Sequence, residues 1–285
     1  MKTPGLFFAC LALAALSPAR GATTIDTTNR YAYAANLGWV DWAADTNHGA
    51  VIGEYICSGN LYAANVGWIS LGSGSPVNQI QYQNNSATDF GVNQDGLGNL
   101  RGYAFGANIG WINFESTGAP KVNLANGQFS GCVWSANCGW ISLSNATAFV
   151  QTDSIRQGVL APDGLPIAWL LQNFGTTNVN ANADPDRDGQ SNLQEYLAGT
   201  DPNNAASVFK INYLNRNVPS HNYTELGWNS VESRCYAVET APNLTGGSWT
   251  NFFNTPIVGL SSLGFTDLDP TNQLYRVRAY RPLTP

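Results

Sequence analysis

The sequence predicts a mainly β protein: an N-terminal all-β repeat domain, a short helix–loop–helix joint and a C-terminal β-sandwich. Three observations carry that expectation. A twelve-residue pattern recurs four times between residues 31 and 143. Helical periodicity replaces alternation only around an acidic loop in 165–198. From 208 onward, short alternating segments return at regular spacing, the pattern of a small sandwich. Composition agrees: only 11% of the 285 residues are charged, against 29 glycines, the makeup of turn-rich β-structure.

Residues 1–22 read as an export signal, with Lys2 ahead of an apolar run, Leu6 to Leu16, that is too short to span a bilayer. Small residues at Ala19, Gly21 and Ala22 offer cleavage points. No later stretch is apolar and long enough for a transmembrane segment. A net charge of -6 speaks against nucleic acid, whose recognition needs a basic face. The partners to expect are an envelope or matrix protein or a polysaccharide. Two histidines, His48 and His221, are too few and too far apart to favour His-ligated metals or Ser-His chemistry.

The repeat domain spans 23–150. Its four segments align without gaps at Tyr31–Trp42, Asn60–Leu71, Tyr103–Phe114 and Cys132–Leu143, each containing Ala-Asn, one further residue, then Gly-Trp. Asn36, Asn65, Asn108 and Asn137 lie 29, 43 and 29 residues apart, a duplicated pair of hairpins. Aromatics Tyr33, Tyr62, Phe105 and Trp134 mark the incoming strand. Trp39, Trp68, Trp111 and Trp140 open the outgoing one and alternate with Asp41, Ser70, Asn113 and Ser142. Asn suits a left-handed turn and Gly a close approach. A Trp at one position of every repeat reads as core, so a Trp ladder is expected inside. Trp42, standing where the other repeats have Leu71, Phe114 and Leu143, is the candidate exposed platform for a ligand. Further strands are expected at 50–57, 77–83, 88–93 and 120–124, with turns at Asp95-Gly96 and Asn126-Gly127. Cys132 and Cys138 replace other residues in one repeat only and flank its turn, which predicts a disulfide between them. Cys57 and Cys235, in different proposed domains, are expected as buried thiols.

Residues 151–207 form the joint. Pro166, Trp169, Leu170, Phe174 and Gly175 outline one short helix; Leu193, Tyr196, Leu197 and Gly199 outline a second at 191–198. Between them, Asp184, Asp186, Asp188, Gln190, Asn192 and Glu195 occupy positions 1, 3, 5, 7, 9 and 12 of a calcium loop, with Gly189 at position 6. Three carboxylates within five residues repel one another unless a cation sits between them, so calcium is the expected cofactor. The run Asp184 to Pro202, Asp-Pro-Asp-x-Asp-Gly-x-Ser-Asn-x-x-Glu-Tyr-x-x-Gly-Thr-Asp-Pro, resembles bacterial repeats of the thrombospondin type-3 kind and is similar to dockerin loops. That resemblance implies the same six ligands, while Ser191 at position 8, where paired sensor loops carry a branched apolar residue, makes this a lone structural site rather than a sensor.

The last domain, 208–285, is expected to hold strands at 208–214, 223–230, 234–240, 248–253, 263–267 and 274–280, with Trp228, Trp249 and Tyr275 in its core. In pattern it looks like the fibronectin-III or immunoglobulin-like domains of bacterial exported proteins. The functional expectation is a secreted or cell-surface, non-enzymatic structural or adhesive protein with a stabilising calcium site. The alternative is a carbohydrate-binding module. A glycoside hydrolase would need two acids about 5–9 Å apart in a cleft, drawn from Asp26, Asp41, Asp45, Glu54, Asp89, Asp95 and Glu115.

Overall fold

The computed structural model describes residues 23–217, 223–243, 249–252, 257–258, 262–266 and 274–284. The export signal expected at 1–22, and His221, lie outside the described residues.

Each repeat folds into one hairpin. The strands are β1 (Ile25–Ala34), β2 (Gly38–Asp41), β3 (Asn60–Ala63), β4 (Gly67–Ser70), β5 (Leu100–Gly106), β6 (Gly110–Asn113), β7 (Cys132–Ser135) and β8 (Gly139–Ser142). Within hairpins the register is Tyr33↔Trp39, Tyr62↔Trp68, Phe105↔Trp111 and Trp134↔Trp140. Between hairpins β2 pairs β3, β4 pairs β5 and β6 pairs β7, and β8 pairs β1 through Tyr33↔Ser142. The sheet therefore closes into an eight-stranded antiparallel barrel, which removes the exposed edges an open sheet would leave.

The turn explains the motif. The backbone of Leu37 donates to Ala34, that of Val66 to Ala63 and that of Ile109 to Gly106, and the glycine that follows each adopts a left-handed conformation, φ +84°, +79° and +74° at Gly38, Gly67 and Gly110. The left-handed residue is thus the first of each outgoing strand, a conformation that glycine adopts without steric cost. The asparagine, expected to take the left-handed geometry, does something else. Its side-chain amide reaches the neighbouring hairpin: Asn65 Nδ2 donates to the Leu37 carbonyl (3.0 Å), Asn108 to Val66 (3.1 Å), Asn137 to Ile109 (2.8 Å) and Asn36 to Cys138 (3.2 Å). The four bonds run once around the barrel and return to their start, so each hairpin clamps the one before it.

The barrel interior is filled in layers. Leu37, Ile109 and Cys138, with Val66, close the turn end. Ala34, Ala63, Gly106 and Ser135 form the next layer. Ala32, Leu61, Ala104 and Val133 pair with Val40, Ile69, Ile112 and Ile141, and Trp42, Leu71, Phe114 and Leu143 cap the far end. The sequence expectation is here inverted. Trp39, Trp68, Trp111 and Trp140 are 47%, 50%, 46% and 47% exposed, whereas Trp42 is 1% exposed and packs edge-on against Phe129 at 5.1 Å. Alternation is as read, but the other face points inward. An eight-stranded barrel leaves room for only small and medium side chains at its middle levels, so four indoles at one level do not fit. Trp42 cannot serve as an exposed platform.

Other expectations need adjustment. The segment 77–83 is no strand, because side chains capture its backbone amides: Asn78 Oδ1 accepts from Ile80 and Gln81, Asn93 Oδ1 from Tyr82, and Asp89 Oδ2 from Gln83. Short pairs form at Val51–Ile52 with Cys57–Ser58 and at Lys121–Val122 with Phe129–Ser130. Cys132 and Cys138 are not bridged. The register sets Cys132 opposite Ser142 and Ser135 opposite Gly139, so Cys132 stands three residues, roughly 10 Å, down the strand from the turn holding Cys138. Cys57 and Cys235 are buried thiols. Burial pushes their pKa up, to about 12 and about 11.

Two helices follow, α1 (Ile167–Phe174) and α2 (Asn192–Ala198). α1 starts after Pro166 and ends at left-handed Gly175. α2 has a capping box between Ser191 and Gln194 and ends at left-handed Gly199. Trp169 packs on Phe174 and Tyr196 at 5.7 and 5.6 Å, within a cluster that includes Leu165, Leu170 and Ala181. Leu197 is exposed rather than part of the buried stripe, which consists of Asn192, Glu195, Tyr196 and Ala198.

In the C-terminal region, Ile211–Asn217, Tyr223–Trp228 and Ser262–Thr266 form one antiparallel sheet. Cys235–Ala241 pairs with Thr250–Asn251, Ile257–Val258 and Leu274–Tyr280 in a second. Trp228, Leu226, Tyr236 and Val238 are buried together with Tyr275 against them, while Trp249 is only half-buried beneath the Arg276 guanidinium, 4.4 Å from its ring centroid.

Candidate functional site

Turning the repeat indoles outward creates a belt of aromatic pairs around the barrel. Tyr33–Trp39, Tyr62–Trp68, Phe105–Trp111 and Trp134–Trp140 sit with centroids 4.9, 5.0, 4.8 and 5.1 Å apart at interplanar angles near 60°. The cross-strand register that pairs them also sets a polar residue beside each. Ser142 lies opposite Tyr33, Asp41 opposite Tyr62, Ser70 opposite Phe105 and Asn113 opposite Trp134. Each face therefore offers a hydrophobic ring surface and a hydrogen-bonding neighbour across the seam. At the fourth face, Trp134, Trp140, Asn113, Glu115, Thr117 and Gly118 line a pocket of about 310 Å³.

The acidic loop has its predicted side chains together. Carboxylate oxygens of Asp184, Asp186 and Asp188 lie within 4.8 Å of one another. Asp184 shapes the loop by accepting from the amides of Arg187 (2.8 Å) and Gly189 (3.0 Å), and Gly189 has φ +96°. Asp186 Oδ2, Asp188 Oδ2, Asn192 Oδ1 and Glu195 Oε2 are buried with no hydrogen-bond donor, as is Gln190 Oε1. Buried oxygens without partners cost free energy, and here they gather at the positions read from the sequence. Desolvation, reinforced by Asp186 and Asp188, pushes the Glu195 carboxyl up to about 7. Desolvation and the neighbouring carboxylates likewise raise Asp186. Hard oxygen donors lacking protons are what a divalent cation such as calcium requires, so the residues fit the group. Gln190 directs its Nε2 to the Phe209 carbonyl at 2.6 Å.

A cluster with no sequence signal lies beside α2. Glu54 Oε2 accepts from Tyr196 Oη (2.7 Å) and Arg281 Nε (2.9 Å), and Arg234 Nη2 approaches Oε1 at 3.4 Å. Both guanidiniums lie 5.8 Å from the Tyr196 ring centroid. Arg234 also donates to the Tyr196 and Leu197 carbonyls, and Arg281 to that of Ile155. One buried carboxylate thus ties a barrel loop, the second helix and the adjoining ends of the paired strands Cys235–Ala241 and Leu274–Tyr280.

The candidate catalytic acids are scattered. Asp41 pairs with Arg30 (2.9 Å), Asp45 with His48 (2.8 Å), and Asp95 accepts from Asn99 (2.7 Å). Asp89 holds the amides of Val77 and Gln83, and Asp26 those of Thr28 and Asn29. A cleft of about 1050 Å³, bordered by His48, Glu54, Tyr55, Arg156, Ile167 and Arg281, contains Glu54 alone of the seven. No family model, curated protein or solved structure matches this chain.

Proposed function

We propose that this chain is an exported, non-enzymatic protein of a cell surface or matrix whose barrel binds polysaccharide through its aromatic belt. The single observation behind this is that four aromatic pairs stand outside a barrel whose core is complete without them, each beside a polar group. A sugar ring is amphipathic in the same way: a C–H face stacks on aromatic rings while its hydroxyls need donors and acceptors at the edge. A buried protein partner would instead favour apolar neighbours around the indoles. Asp26 faces a second carboxylate, Asp153, but neither borders the clefts that hold Glu54 and Glu115, which supports a binding role over hydrolysis by paired acids in a cleft. In this reading the two helices and the acidic loop form a calcium-stiffened joint, and the two C-terminal sheets pack as a sandwich.

The full chain is expected to be retained by at least one of insoluble cellulose, chitin or mannan. A Trp39→Ala/Trp68→Ala/Trp140→Ala variant with unchanged far-UV circular dichroism is expected to be lost to the wash. Passage of the unaltered chain through all three matrices would sink the reading.

For the joint, extracellular sites hold calcium at ~0.1–1 mM. With ~1 mM calcium and a ~0.1 mM site, the linked stabilisation is about 1.4 kcal/mol. Chelation by EGTA is expected to lower the melting temperature of the chain, and Asp186→Asn to abolish the response. A melting curve indifferent to both would remove the metal.

A further inference from the structure

We infer that the Trp134–Trp140 face is a built subsite for one uncharged pyranose ring, and that the other three faces only stack along the polymer. This rests on the polysaccharide reading and adds to it a location and a ligand chemistry. The repeats look equivalent in sequence, but their surroundings differ. Phe90 packs at 6.2 Å on Phe105 and 5.1 Å on Trp111, covering one side of the third face. The polar neighbour of the second face, Asp41, is held by Arg30. The first face has only Ser142 across its seam and Tyr31 at its side, 6.2 Å from Trp39.

The fourth face alone has an indole at both aromatic positions and a wall. Its pocket of about 310 Å³ is at the lower end of small-ligand sites. The wall is the short helical turn Ser116–Gly118. Gly118 lets it come close: a Cβ there would collide with the Cys132 carbonyl and lie 3.0 Å from Trp140 Cζ3. The Glu115 amide donates to Asn113 Oδ1 at 2.6 Å, fixing the start of the turn and leaving the Asn113 Nδ2 group to donate to a ligand. The pocket thus presents two indole surfaces meeting at 64°, an amide donor, the Thr117 hydroxyl and the Glu115 carboxylate. A carboxylate accepts two hydroxyls and the amide donates to a third oxygen, while the ring's C–H face lies on an indole. Glu115, in a chain of net charge -6, disfavours acidic sugars. A quaternary ammonium would use the indoles and the carboxylate but leave Asn113 and Thr117 without a role.

The test is titration of the full chain with cellotriose, chitotriose and mannotriose, read by tryptophan fluorescence and calorimetry, with choline as the cationic probe. One saturable site per chain is expected for at least one trisaccharide. Trp134→Ala is expected to abolish it, Glu115→Gln to weaken it about tenfold, and Trp68→Ala to change it less than about threefold. Glu115 is exposed, so its variant keeps the fold and guards against a misfolded Trp134→Ala. Equal losses from Trp68→Ala and Trp134→Ala, or retention on a polysaccharide matrix without trisaccharide binding, would overturn the subsite and leave the polysaccharide reading standing. Saturable choline binding without sugar binding would overturn the subsite as well. Failure of every sugar and every matrix removes both.

Discussion

Glu54→Ala is expected to destabilise the protein by about 3–5 kcal/mol, the cost of removing one member of a buried ion pair. The size follows from what the carboxylate leaves behind. Arg234 and Arg281 are both buried, and among the described residues Glu54 is the only carboxylate paired with either guanidinium. Each also donates to backbone carbonyls, which satisfies protons but not charge. Tyr196 Oη would lose its acceptor too, keeping only the contact with Gln157 Nε2 at 3.2 Å. Glu54→Gln keeps the volume and one acceptor oxygen, so its cost is expected to be smaller, about 2–3 kcal/mol, in line with losing hydrogen bonds to a charged group. Urea unfolding followed by tryptophan fluorescence measures both. Because the carboxylate links separate regions, the Ala variant is also expected to broaden or split the transition as those regions uncouple. A single transition shifted by less than about 1 kcal/mol would mean that the cluster is not a brace.

Trp42→Ala is expected to cost about 3–5 kcal/mol, the range for deleting a buried aromatic side chain. Trp68→Ala should cost no more than about 1.5 kcal/mol, the value of an aromatic pair beyond its burial. The contrast follows from their positions: Trp42 is 1% exposed at the end of the barrel core, Trp68 is 50% exposed outside it. Thermal melts of the two variants under one buffer decide the matter. A Trp68→Ala penalty equal to that of Trp42→Ala would place the repeat indoles in the core and remove the belt.

Those two residues also show how far the sequence could be read. The hairpin, its turn and its two-residue period were legible in Ala-Asn-x-Gly-Trp because they are local. The side that faces inward was not. Alternation assigns Trp39 and Val40 to opposite faces but does not say which is core, and hydrophobicity favours the indole. The decision comes from the cross-section of a closed barrel, which follows from how many strands meet and in what order. The Asn36, Asn65, Asn108 and Asn137 ring was hidden for a similar reason: asparagine is common in turns, and nothing in one repeat shows that its amide crosses to the next. Glu54 was wholly illegible, since its partner Arg281 is 227 residues away. The acidic loop was the opposite case: Asp184, Asp186 and Asp188 lie within five residues, and local turn geometry brings their carboxylate oxygens within 4.8 Å of one another.

The sequence by itself determined the repeat, the hairpin positions, the helix boundaries and the convergence of Asp184, Asp186 and Asp188, because each depends on neighbours along the chain. Tertiary structure alone decided that four hairpins close on one another, that the indoles face water and that one of the four faces acquires a wall. Those outcomes depend on contacts between segments whose spacing in sequence carries no record of their meeting.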